Sequence, residues 1–127
     1  MNAPRQILIV DDDRDLRESV REMLEDHGHT ATDVEDGAQA LAFLRANQVC
    51  LVLLDWHIAP MSAPELKAML DADPALCRIP IVIVSADLRI PAAELTGFAG
   101  RLAKPIDLVA LFEAVERHCG AEDGAPR

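Results

Sequence analysis

Short apolar runs that each stop dead at a polar side chain constrain this chain more than any other feature. Gln6–Val10 ends in Asp11-Asp12-Asp13, Val49–Leu54 ends at Asp55, and Pro80–Val84 ends at Ser85. A briefer run, Arg101–Ala103, ends at Lys104-Pro105, and Thr30–Val34 forms one more short strand. The main runs are too apolar to have a wet face, and strands of that kind belong to parallel sheets covered on both sides. Helical spacing separates them. Leu16, Val20, Met23 and Leu24 lead to a stop at His27-Gly28, and Ala38, Leu41, Ala42 and Leu44 follow the Asp36/Gln39 capping signature. Leu66, Met69 and Leu70 follow Ser62 and Glu65, and Leu108, Leu111, Phe112, Val115 and Cys119 follow Asp107. Pro91–Phe98 completes five repeats of strand then helix, although it contains Pro91 and runs into Gly97 and Gly100. The expectation is a three-layer α/β sandwich, a doubly wound five-stranded parallel sheet with helices on both faces.

The 127 residues suffice for one such domain, expected over residues 5–120 with a flexible tail at 121–127. Half of them are hydrophobic and 27% are charged, which excludes intrinsic disorder. The longest apolar stretches fall far short of the roughly 20 residues that span a membrane, and Met1–Arg5 does not begin a secretory signal. Cys50, Cys77 and Cys119 have no metal-like spacing and read as free core thiols of a reducing cytoplasm. The formal net charge is −10, and residues 1–36 alone carry eleven acids against four bases. Such a surface repels nucleic-acid phosphates and suits a divalent cation or a basic protein surface.

In an open parallel α/β sheet the ligand site lies beyond the carboxyl ends of the strands. The polar residues expected there are Asp11, Asp12, Asp55, Ser85 and Lys104. Carboxylates brought that close repel one another and need compensation. Mg²⁺, which prefers oxygen ligands, is the simplest source. A lysine and a hydroxyl beside metal and carboxylates are the parts that hold phosphoryl oxygens. The chemistry indicated is phosphoryl transfer onto or off a carboxylate.

Ile7-Leu8-Ile9-Val10-Asp11-Asp12, Leu51-Val52-Leu53-Leu54-Asp55, Ile81-Val82-Ile83-Val84-Ser85-Ala86 and Lys104-Pro105, in that order, resemble the response-regulator receiver domain of two-component signalling. The resemblance runs from Ile7 to about Cys119 and implies a flavodoxin-like sheet of strand order 2-1-3-4-5. It implies that Asp55 accepts a phosphoryl group from a sensor histidine kinase or a histidine phosphotransfer protein. Asp11, Asp12, Asp55 and the His57 carbonyl would hold Mg²⁺. Ser85 and Lys104 would bind the phosphoryl group, with Lys104-Pro105 cis, and the small Ala86 would leave that group accessible. The protein would then be a cytoplasmic single-domain switch, not an enzyme in its own right, acting by contact with a downstream protein target and without direct nucleic-acid or membrane binding. It would be a monomer or a phosphorylation-dependent dimer through the last two helices and the strand between them.

Some positions depart from the family pattern. Arg101 stands where an aromatic usually does, three residues before the lysine, and is expected either to stay outward on a partner surface or to pair with an acid such as Asp87. Proline comes one place late after Asp55, at Pro60, and Ser62-Ala63 replaces the usual Asp-Gly. Without that glycine a left-handed turn is costly, so another loop path is expected. His57 and Asp87 occupy the positions that flank the phosphoryl group and tune its lifetime, with a pH dependence expected from histidine. One alternative is a pseudo-receiver that keeps the fold as an interaction module without phosphorylation. Another is a carboxylate-nucleophile phosphatase, disfavoured because His57 stands where those enzymes carry a second acid and no sequence is left for a lid.

Overall fold

A computed structural model describes residues 6–87 and 89–120, so the tail expected at 121–127 lies outside the described residues. In chain order the elements are β1 (Gln6–Val10), α1 (Arg14–Asp26), β2 (Ala31–Val34), α2 (Gly37–Ala46) and β3 (Val49–Asp55). They continue with α3 (Ala63–Asp71), β4 (Ile81–Ser85), a 3-10 turn at Ala92–Leu95, β5 (Gly100–Ala103) and α4 (Leu108–Cys119). The five strands form one parallel sheet in the order β2-β1-β3-β4-β5.

Strand alternation divides the core into two halves. Ile7, Ile9, Leu51, Leu53, Val82, Val84 and Leu102 face Val20 and Leu24 of α1 and Leu111 and Val115 of α4. On the other face Leu8, Val10, Val52, Leu54, Ile81 and Ile83 meet Ala40, Leu41 and Leu44 of α2 and Leu66 and Leu70 of α3. Each fully buried leucine or isoleucine contributes about 1.5–3 kcal/mol of transfer free energy. Side-chain caps start the helices where the sequence indicates: Asp13, Asp36 and Asp107 accept from the third residue onward, and Ser62 with Glu65 forms a reciprocal capping box.

The fifth strand–helix repeat is corrected. Between β4 and β5 the only regular helical structure among the described residues is the 3-10 turn Ala92–Leu95. Pro91 stands at its start in an extended conformation, without a side-chain cap, and Gly97 turns the chain away at φ +91°. Too few residues remain between them to propagate a helix. Leu95 and Phe98 nonetheless pack onto the α2/α3 half of the core, so the short crossover still covers the sheet.

The reading of three free core thiols is also corrected. A disulfide joins Cys50 to Cys119, whose Cα atoms are 5.3 Å apart, and Cys77 is free and exposed. The cause is a register shift: Gln6 pairs with Val49 and Ile7 with Leu51, leaving Cys50 as an extra residue in β3. Strict alternation would send Cys50 to the α2/α3 face with Val52 and Leu54. The bulge turns it to the other face, against the last turn of α4.

In denaturant without reductant, one thiol (Cys77) should react with iodoacetamide by intact mass, rising to three after reduction. Replacing Cys50 and Cys119 together should lower unfolding stability by about 2–4 kcal/mol, as removal of a long covalent loop does. Three reactive thiols before reduction would contradict the pairing.

Candidate functional site

Strand register sets the polar termini level with one another. Val10 pairs with Leu54, Asp55 with Val84, and Ser85 with Ala103. The next residues along, Asp11 after β1 and Lys104 after β5, therefore emerge at the same sheet edge as Asp55 and Ser85. Asp11, Asp55 and Ser85 are buried, whereas Asp12 is exposed. One carboxylate oxygen from each of Asp11, Asp12 and Asp55 can be chosen so that all three lie within 4.8 Å of one another. This all-oxygen, acidic donor set is what a hard divalent cation takes.

Lys104 bridges the cluster, with Nζ 3.0 Å from Asp11 Oδ2 and 3.6 Å from Asp55 Oδ2. Burial opposes its charge, but the hydrogen bond to Asp11 and the field of Asp55 outweigh that and raise its pKa. Burial, joined by the charge of Asp55, pushes the Asp11 carboxyl up against the lowering effects of the Asp13 amide and Lys104. The Asp13 N–H donates to Asp11 Oδ1 at 2.8 Å, and the His57 N–H donates to Asp55 Oδ1 at 3.2 Å. Both buried carboxylates thus have fixed orientations. The Lys104–Pro105 peptide is cis, as the resemblance implies.

The loop after Asp55 takes its own path. Ala59–Pro60 is a second cis peptide, and Ser62 caps α3 from an extended conformation, so no left-handed turn occurs there. Trp56 lies edge-on to Phe98, Ile58 is buried, and Met61 packs so closely on Gly37 that a Cβ there would fall 2.9 Å from its sulfur.

The residues expected to flank the site come together on its outer side. His57 Nε2 lies 3.4 Å from Asp87 Oδ2, and the Asp87 N–H donates to Ser85 Oγ at 2.9 Å. The Arg89 amide, against the effect of burial and with help from His57, holds the Asp87 carboxyl below its usual range. Ala86 is exposed beside them. Arg101 is half-buried and does reach Asp87, but it donates to the backbone carbonyl, at 3.2 Å, and not to the carboxylate.

A contact the sequence does not signal lies behind Asp11. Arg17 of α1 donates from Nε to Asp33 Oδ2 at 2.9 Å and from a terminal nitrogen to the Asp11 carbonyl at 2.8 Å. Arg21 pairs with the other oxygen of Asp33. The partners are sixteen and six residues from Arg17, and no periodicity or spacing rule links them.

Known proteins share this fold and its sequence pattern. The family profile of the response regulator receiver domain matches residues 7–116. The chemotaxis protein CheY of Pseudomonas aeruginosa is 32% identical over 117 residues, covering 88% of this chain and 94% of the relative. Chemotaxis protein CheY-3 of Vibrio cholerae is 30% identical over 122 residues, covering 92% of this chain and 93% of the relative. The crystal structure of a response regulator receiver protein from Pseudomonas putida superposes with a TM-score of 0.82 at 25% identity, covering 92% of this chain and 99% of that one. The fold and these matches define a signalling domain rather than a conventional enzyme. The chain belongs to the response-regulator receiver domain family.

Lys104→Met leaves the Asp11 and Asp55 carboxylates without their ammonium. Losing that ammonium raises the pKa of the buried Asp11 carboxyl further. An acid whose folded pKa is raised is penalised at neutral pH and relieved as pH falls towards that pKa. The stability deficit of Lys104→Met against wild type, from urea unfolding without divalent ions, should be larger at pH 7.5 than at pH 5. A deficit independent of pH would contradict the electrostatic role.

Proposed function

We propose that this protein is a single-domain response regulator that accepts a phosphoryl group on Asp55 in a Mg²⁺-dependent reaction and signals by protein contact. The observation that carries the reading is Lys104, whose ammonium reaches both Asp11 and Asp55 at the edge where Ser85 also ends. The single-domain form is supported by the CheY relatives, of which the match covers 94% and 93%.

The donor is a phosphohistidine on a sensor kinase or a phosphotransfer protein. An Asp55 carboxylate oxygen forms the new P–O bond as the P–N bond breaks, and the electron pair leaves with the imidazole. The His57 amide on Asp55 Oδ1 holds the carboxylate so that its other oxygen can attack. Lys104 shifts its charge from carboxylate to phosphoryl oxygens, and Ser85 turns its hydroxyl from the Asp87 amide to the phosphoryl group. Asp11, Asp12, Asp55 and the His57 carbonyl would hold Mg²⁺, which neutralises charge on the transferring group. His57 and Asp87 stand over the acceptor and set how readily water reaches phospho-Asp55, while Ala86 leaves the entry side open.

The setting proposed is the cytoplasm; among the described residues no helix is long and apolar enough to cross a membrane. A reducing compartment would open the Cys50–Cys119 disulfide. Alkylation of protein quenched directly from cells reads which form is carried there. The output is a downstream protein, with no direct nucleic-acid contact. Either a monomer or a phosphorylation-dependent dimer would present α4 and β5, with Leu108 and Val109 exposed at the start of α4.

Intact mass after incubation with acetyl phosphate tests the reading. One Mg²⁺-dependent phosphoryl gain is expected for wild type and none for Asp55→Asn, and the adduct on His57→Asn should decay at a different rate. No gain together with no Mg²⁺ binding would favour a pseudo-receiver interaction module.

A further inference from the structure

Arg17 has more to do than neutralise a carboxylate. Its side chain is 14% exposed and that of Asp33 is 12% exposed, so the pair is largely withdrawn from water. Asp33 already receives Arg21 on its second oxygen, and a single guanidinium suffices to balance one carboxylate. Arg17 nevertheless spends another donor on the Asp11 carbonyl, which lies two residues before the N-cap of α1 and outside the helix's own hydrogen-bond ladder. The Asp11 N–H is bonded on its other side to the Val34 carbonyl of β2. The Asp11 backbone is thereby clamped at both polar atoms, from β2 and from a side chain that β2 itself anchors through Asp33.

From this we infer that Arg17 is a positioning residue for the cation site: anchored by Asp33, it fixes the Asp11 main chain so that the Asp11 and Asp12 carboxylates stand ready beside Asp55. The inference rests on the Mg²⁺-binding reading above. It has a sign that simple electrostatics does not. A nearby positive charge repels a divalent cation, so deleting the charge alone would tighten Mg²⁺ binding. Deleting a clamp weakens it, and groups that orient metal ligands typically change affinity 10–100-fold when removed. Lysine keeps the charge but lacks the planar fork that reaches Asp33 and the carbonyl together.

The test is Mg²⁺ titration of folded wild type, Arg17→Met, Arg17→Lys, Asp33→Asn and the Arg17→Met/Asp33→Asn double variant, followed by the backbone amide NMR shifts of residues 11–13 and 55–57. Urea unfolding of each variant gives its stability separately. Arg17→Met and Arg17→Lys should both bind Mg²⁺ about tenfold more weakly, with amides 11–13 displaced even before metal is added. Asp33→Asn should weaken binding too, and the double variant should be no worse than Arg17→Met, because the two residues act in one chain. Tighter binding by Arg17→Met with wild-type affinity in Arg17→Lys would reduce Arg17 to a charge and overturn the inference. Lower stability with unchanged Mg²⁺ affinity would overturn it as well, leaving a purely structural ion pair. If wild type itself shows no Mg²⁺-dependent shift, the Mg²⁺ reading fails and the inference falls with it.

Discussion

Three aspartates are held within reach of a single small cation, and most of the surrounding structure serves to keep them there. Carboxylates so placed drive each other apart unless opposite charge is supplied, and two of these are buried, where water cannot screen them. Lys104 supplies one positive charge, from the far side of the sheet, four strands away from β2 in spatial order. A parallel sheet makes that compensation possible. It brings the ends of β1, β3, β4 and β5 to one edge in a register that the apolar alternation of each strand enforces.

The two halves of the core, meeting across the sheet, therefore do more than stabilise the fold. Leu51 and Leu53 on one face and Val52 and Leu54 on the other lock β3 so that Asp55 leaves it at a fixed height. Ile58, Met61 and Trp56 then pin the following loop, so the His57 amide meets Asp55 without the glycine turn that the family tends to use. On the opposite side of Asp55 the Asp87 segment is tied twice, through its amide to Ser85 and through its carbonyl to Arg101. Ser85 and Arg101 are thus joined through the main chain of a single residue, Asp87, with no aromatic ring involved.

Much of this was legible in the sequence because it is written in local patterns. Continuous apolar runs mark buried parallel strands, and Asp36, Ser62 and Asp107 mark helix starts, all of which the structure contains. The edge residues Asp11, Asp55, Ser85 and Lys104 follow from the strand ends alone. What escaped depends on contacts distant in sequence or on breaks in alternation. Cys50 reads as a member of one sheet face until a bulge turns it to the other, where Cys119, 69 residues away, closes the disulfide. Pro91–Phe98 has helical spacing, yet Pro91 and Gly97 leave too little chain between them to sustain a helix. Arg17 looks like any charged residue on an acidic helix, and only the crossing of α1 over β2 gives it Asp33 and the Asp11 carbonyl.

The proposed chemistry requires Asp55, rather than one of its acidic neighbours, to be the nucleophile. Reductive trapping tests that most directly: borohydride converts an aspartyl phosphate to homoserine, and peptide mass mapping locates it. After incubation with acetyl phosphate and Mg²⁺, homoserine at position 55 and at no other aspartate is the predicted result. Homoserine at Asp11 or Asp12, or a phosphoryl gain that borohydride leaves untouched, would contradict it.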